Sequence, residues 1–168
     1  VLRPPVAMRW LSDRQLGITT ARKERVHRLD LPPEVQRHAH DYEPSPYGVL
    51  PDALLSIPLE PAFTTFVDVG AGKGRVLAEA LHFGFRRVIG LEASPRLSRL
   101  AQENLRRLPY PHEWEVLCVD ATASSAVPNV PSAPAVIRST VTLAIPDSPA
   151  SWRPSPLASF QMKSPMDA

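Results

Sequence analysis

The chain reads as an α/β protein, a parallel sheet with flanking helices, on three observations. Short apolar runs alternate with stretches of helical period between residues 65 and 119, and that alternation is what parallel strands joined by crossover helices produce. A loop of alternating glycines, Gly70-Ala71-Gly72-Lys73-Gly74, joins the first apolar run to the first helical stretch. A second apolar run, Arg87 to Leu91, ends in the acid Glu92, twenty-two residues after Gly70.

Taken in order, residues 1–47 mix basic side chains with the pairs Pro4-Pro5 and Pro32-Pro33, and one weakly helical stretch is expected from about Asp13 to Leu29. Its Arg22, Lys23, Arg25 and Arg28 read as a solvated face, because Glu24 and Asp30 interrupt the field and no aromatic residues are interleaved. His27, His38 and His40 have no carboxylate or cysteine framework for a metal and are expected at the surface. Between Gly48 and Leu59 the positions Val49, Leu50, Leu54, Leu55 and Ile57 fit a short helix with Pro51 near its first turn.

The core elements follow: a strand at about Thr65 to Val69, a helix at Gly74 to Phe83, a strand at Arg87 to Leu91, a helix at Pro95 to Leu108 and a strand at Glu115 to Val119. Ser94 is placed to cap the second helix, with Pro95 at its first position. Leu97, Leu100, Ala101, Asn104, Leu105 and Leu108 form its inward stripe, and Pro109 and Pro111 stop it. After residue 120 the composition changes. Residues 121–168 hold eight prolines and nine serines but only five charged residues, too little amphipathic pattern to offset ordering entropy, so an irregular or disordered tail is expected with one strand inside Ala135 to Ile145. Without further strands, the Thr65 to Val69 strand is expected to lie at a sheet edge.

A length of 168 residues suits one buried core. The formal net charge is +2, so despite a pI near 9.0 a nucleic-acid partner is not indicated. One cysteine, Cys118, excludes an internal disulfide and a multi-cysteine zinc site; it lies in an apolar run and is expected in the core. No run approaches the ~18 apolar residues of a membrane span, and the Arg- and Pro-rich start lacks a signal-peptide core. A cytoplasmic protein is the expectation.

The order of strand, glycine loop, helix, strand and acid resembles the cofactor half of class I S-adenosylmethionine-dependent methyltransferases, whose core is Rossmann-like. Within that class, Tyr42-Glu43-Pro44-Ser45-Pro46-Tyr47, the run Phe66 to Arg75, the run Arg87 to Glu92 and the helix ending near Asn104-Leu105 are similar to a group of small, mostly uncharacterised bacterial proteins. The first loop also resembles that of the histone lysine methyltransferases lacking a SET domain. The resemblance covers roughly residues 10 to 121.

What it implies is a pocket for S-adenosylmethionine. Gly70, Ala71, Gly72 and Gly74 let the backbone approach the ligand, and the following helix start favours its carboxylate. Asp68 is placed to orient the loop or meet the amino end, and Glu92 to accept both ribose hydroxyls. Asp120 and the Ala121 N–H suit the adenine. Tyr42 is a contact from a segment that closes over the cofactor. The implied organisation is a basic segment and lid over residues 1–47, a cofactor-binding core over 48–122 and a tail over 123–168. A dinucleotide site is the competing reading, but its G-x-G-x-x-G register puts Arg75 at the third small position, although Lys73 would suit a phosphate. In the bacterial group a fourth strand ends in an Asn-Pro-Phe-like turn facing the methyl, and that tripeptide is absent here. The expectation is therefore a truncated methyltransferase core with no identifiable base or acceptor wall. A non-catalytic cofactor-binding module is the alternative.

Overall fold

A computed structural model of the chain describes residues 11–54, 59–121 and 142–146. The bulk of the expected tail, like Leu55 and Ile57, lies outside the described residues. The elements are α1 (Asp13–Leu16), α2 (Pro33–Gln36), α3 (Val49–Leu54), β1 (Thr64–Val69), α4 (Arg75–His82), β2 (Arg87–Glu92), α5 (Pro95–Leu105), β3 (Glu113–Cys118) and β4 (Thr142–Pro146). The strands form one sheet in the order β3-β2-β1-β4. β1, β2 and β3 run parallel, with Thr65 opposite Arg87 and Arg87 opposite Glu113. This is the α/β, Rossmann-like arrangement expected.

One face of the sheet carries the helices. Phe66, Val88 and Val116 point into a core with Leu77, Leu81, Ala101 and Leu105 from α4 and α5, and the Phe66 and Phe85 rings stand 5.1 Å apart. On the other face, Val67, Ile89 and Leu91 cluster with Val69, Leu117, Val119 and Ala121. Apolar residues on both faces are what a parallel sheet requires. Ser94 caps α5 as expected, accepting a hydrogen bond from Leu97 N–H at 3.1 Å. On α4, the buried Glu79 accepts from Gly48 N–H at 3.0 Å and so ties the start of α3 to the core. Its second oxygen has no partner among the described residues, and burial pushes its carboxyl towards the protonated form.

Three expectations are corrected. The helix from Asp13 to Leu29 is only the single turn α1, ended by Gly17 at φ 70°, followed by extended chain and a 3-10 turn at Val26–Arg28. Asp13 explains the break, because its carboxylate folds forward onto Thr20 and Ala21 N–H at 2.5 and 2.9 Å and so competes with helical pairing. Second, β1 is not an edge: β4 pairs with it antiparallel, setting Thr142 opposite Asp68 and Pro146 opposite Thr64. Third, Cys118 is exposed rather than in the core, since β3 is an outer strand and Cys118 ends it. His27, His38 and His40 are exposed, and no group of residues among those described could hold a metal ion. No described helix is long and apolar enough to cross a membrane.

Gly90 in β2 sets how closely the glycine loop approaches the sheet. A Cβ there would sit 2.6 Å from Leu77 Cδ1 and 3.0 Å from Ala71 Cβ. Leu77 is fully buried and cannot swing away, so Gly90→Ala should lift the loop and destabilise the fold by about 1–3 kcal/mol. Urea denaturation measures the loss.

Candidate functional site

The site is built on the carboxyl ends of β1 and β2, where open α/β sheets receive ligands. Gly70, Gly72 and Gly74 all take positive φ, at 78°, 56° and 82°. The loop amides are spent within the protein: Gly70 and Ala71 donate to Leu91 O at 2.8 and 3.0 Å, and Gly74 to Ala71 O at 2.9 Å. Gly72 N–H donates to Glu92 Oε2 at 2.7 Å, while Ser94 N–H donates to Oε1 at 2.8 Å. The loop is thus fastened to β2 from behind, and it offers a ligand closely approachable backbone rather than spare donors. Gly72 has to be glycine twice over, for its φ and because a Cβ would collide with the Tyr42 ring.

Tyr42 belongs to a strap, residues 11–47, that crosses the loop. Its hydroxyl donates to Thr20 O at 3.0 Å, and Glu24 and Tyr42 exchange backbone hydrogen bonds at 3.1 and 2.8 Å. Burial raises the Tyr42 phenol to about 12. Two cations in the loop region hold this strap. Lys73 Nζ donates to Arg22 O at 2.7 Å and Glu24 Oε1 at 3.0 Å, and lies 4.9 Å from the centre of the Tyr42 ring. Arg75 donates to Thr20 Oγ1 at 2.7 Å and Ser45 O at 2.9 Å, approaches Asp13 Oδ1 at 3.4 Å and stacks 4.4 Å from the Tyr47 ring. Lys73 is 3% exposed, so the expectation that it suits a phosphate is corrected: its ammonium donates to Arg22 O and Glu24 Oε1 of the strap.

Asp68 sits near the end of β1, 3% exposed. It lines a cavity of about 70 Å³ together with Gly70, Ala71 and the strap residues Tyr42, Glu43 and Ser45. Burial first, and the nearby Glu92 charge second, raise its carboxyl from 3.8 to about 7, and among the described residues no cation offsets this. Burial also raises Glu92, against the hydrogen bonds from Ser94, Gly72 and Ala93. On the other side of Tyr42 lies a larger space of about 310 Å³ edged by Lys23, Glu24, Arg25 and Asp41.

Of the residues singled out in the sequence, Asp68, Gly70, Ala71 and Tyr42 come together at the small cavity. Gly72 lies beneath Tyr42, Gly74 packs against Ala101, and Glu92 stands behind the loop. Asp120 and Ala121 are half-buried beyond the end of β3 and do not line that cavity. The strap contacts Asp13, Thr20, Glu24 and Arg75, and Asn104, whose amide donates to Lys73 O at 2.9 Å, were not singled out for the site. The signal for them was Lys73 itself, because a lysine inside a buried glycine turn needs a carboxylate brought to it.

Residues 67–148 match the family described as methyltransferase domain. The match runs past Ala121, where the sequence resemblance was expected to end, and takes in β4. No curated protein and no solved structure matches the chain.

The buried pair has a measurable consequence. Lys73→Met leaves Glu24 buried with the weaker charges of Arg96, 3.7 Å away, and Arg22, and should destabilise the protein by about 2–3 kcal/mol. Adding Glu24→Gln should restore part of that loss, which a double-mutant cycle in urea reads directly.

Proposed function

From the membership of residues 67–148 in the class I S-adenosylmethionine-dependent methyltransferase domain family, we propose that the strap and the glycine loop together form the cofactor cleft. The methionine end lies at Asp68, the ribose at Glu92 and the adenine towards Asp120 and Ala121. The observation that carries this reading is Asp68, a buried carboxylate facing a cavity with no cation among the described residues to neutralise it. An α-ammonium group placed there supplies the missing charge. Bound S-adenosylmethionine supplies an already activated methyl group, so the protein's part is positioning.

Glu92 fits the ribose because its oxygens accept from the Gly72 and Ser94 N–H groups, with the Ala93 N–H adding to them, and an ionised carboxylate has roughly four acceptor positions. That leaves a position for a ribose hydroxyl. The same N–H bonds fix the direction in which the carboxylate points. Ligand pockets span about 300–1,000 Å³, far more than the space at Asp68. Tyr42 lines both that space and the larger one beyond it, so displacing its ring from Gly72 joins them, and the strap acts as the lid. A dinucleotide fits less well, since Lys73 is occupied by Glu24 and Arg75 by Thr20, Ser45 and Asp13.

Calorimetric titration tests the reading. The protein should bind S-adenosylmethionine and its demethylated product and not NAD; NAD binding alone would overturn it. Glu92→Ala should weaken cofactor binding about tenfold or more, each lost hydrogen bond to a charged acceptor being worth roughly 1.5–3 kcal/mol.

Asp68 also makes a pH prediction. Its raised value means that the ligand-free fold prefers the protonated acid, so the stability it contributes is complete below its unfolded value of 3.8 and is lost as pH rises through about 7. The ligand-free protein should melt lower at about pH 8 than at about pH 5 by an amount that Asp68→Asn removes. Cofactor affinity should run the other way, rising as Asp68 ionises and falling again once an α-amino group near pKa ~8 deprotonates. A flat affinity profile would detach Asp68 from the ligand.

A further inference from the structure

The strap and α5 lie side by side, and both expose arginines along the line where they meet. At one end, Asn104 accepts from Thr19 N–H at 3.0 Å and donates to Thr19 O at 3.3 Å, while Arg107 Nη1 reaches Thr19 Oγ1 at 3.4 Å. At the other, Arg96 Nη2 lies 3.7 Å from Glu24 Oε1. Residues 19–24 therefore run along α5 from its last turn to its first, carrying the exposed Arg22 beside the exposed Arg96, Arg99, Arg106 and Arg107.

In the sequence Glu24 interrupts this basic field. In the fold it does not, because its side chain is 7% exposed and paired with Lys73. Asp41 and Glu43 are exposed, but each is paired, with Arg25 and Lys23 respectively. Glu103 on α5, and Asp30 just past Leu29, whose carbonyl meets the Ser94 hydroxyl, are the exposed acids that remain nearby.

We propose that this ridge binds the phosphate backbone of a nucleic-acid duplex. Arginine's planar fork matches phosphate oxygens in pairs. From Arg96 to Arg107 the ridge spans about 16 Å at ~1.5 Å per residue, room for four or five phosphates at ~3.4 Å per strand along a duplex axis. Between those two positions the exposed side chains are Arg99, Glu103 and Arg106. The ridge thus exposes no large apolar side chain to form the centre of a protein interface, Ala21 being its one exposed apolar residue. Neither residues 19–24 nor α5 contains an aromatic residue, so there is no platform for stacking the bases of a single strand. Phosphate is the chemistry left. The ridge starts four residues after Glu92, at the edge of the cofactor cleft, but binding there does not require cofactor.

Fluorescence anisotropy of the whole chain, without cofactor, against labelled RNA and DNA duplexes of one sequence tests the proposal. Binding of either duplex supports it, and the tighter one identifies the source. The logarithm of the affinity should fall with the logarithm of salt concentration at a slope of about −4. Arg99→Glu with Arg106→Glu should weaken binding about tenfold or more, whereas Arg86→Glu with Arg87→Glu, the same change in net charge at the opposite end of β2, should leave it near the wild-type value. Should the first pair fail to fold, Arg99→Gln with Arg106→Gln should give a smaller loss in the same direction. No binding at low salt, or equal losses in the two pairs, would overturn the ridge. Displacement of the duplex by polyglutamate as readily as by unlabelled duplex would assign it to an acidic protein instead and overturn the nucleic-acid proposal.

Discussion

The buried ion pair between Lys73 and Glu24 decides where the first part of the chain goes. Lys73 stands between two glycines of a tight turn, pressed against α5 through Gly74 and Ala101. There its ammonium is 4% exposed and cannot stay charged without oxygen partners. Glu24 and the Arg22 carbonyl supply them, and both come from the strap. Once those two bonds form, Tyr42 is carried onto Gly72, Thr19 onto Asn104, and the Arg22 side chain out beside α5. Arg75, two residues later, repeats the device with Asp13, Thr20 and Ser45. The glycine loop thus grips the strap that crosses it through the side chains of Lys73 and Arg75.

The carboxylates divide according to this arrangement. Hydrogen bonds from Lys73 hold Glu24 below the usual carboxylate range. Burial would raise Asp13, but the Thr20 and Tyr47 hydroxyls and the N–H groups of Thr20 and Ala21 outweigh it and bring it down. These acids favour the fold when ionised, and their contribution is lost as pH falls through their lowered values. Asp68 and Glu92, near the ends of β1 and β2, are shifted upward by burial and favour the fold when protonated. Acids that fasten the strap therefore have their charge matched by the protein, whereas Asp68, which lines the small cavity, does not. A site that awaits a cation is expected to look like this.

The parallel sheet and the ligand end of it were legible because they rest on local signals. Glycines at alternate positions, an acid ending each strand, and Ser94-Pro95 at a helix start are written within a few residues of where they act. What escaped is long-range. Nothing near Asp13 announces that its carboxylate will meet Thr20, Tyr47 and Arg75 and so stop a helix after one turn. Glu24 looked like an interruption of a basic run because its partner lies 49 residues away. β1 looked like an edge because antiparallel pairing with Thr142–Pro146 cannot be inferred from a strand that lacks strong alternation. The antiparallel direction also sets Thr142, the start of β4, opposite Asp68 and carries its carboxyl end towards Thr64.

On the proposed reading, with the strap as lid of the cofactor cleft, lid and cleft are one thermodynamic unit. With Tyr42 seated on Gly72, the cofactor meets only the fraction of molecules in which the strap has lifted, and apparent affinity is the intrinsic affinity reduced by that fraction. The latch bonds of Lys73 and Arg75 set the fraction before binding. In the proposed cleft, the same bonds would hold the strap closed over a bound cofactor and keep water out, which strengthens charge interactions inside. A stronger latch would slow entry and improve enclosure, and a weaker one would do the reverse. Lys73 and the half-buried Arg75 each share several strap oxygens, so no single bond has to carry the whole latch for the strap to be held or to begin to lift.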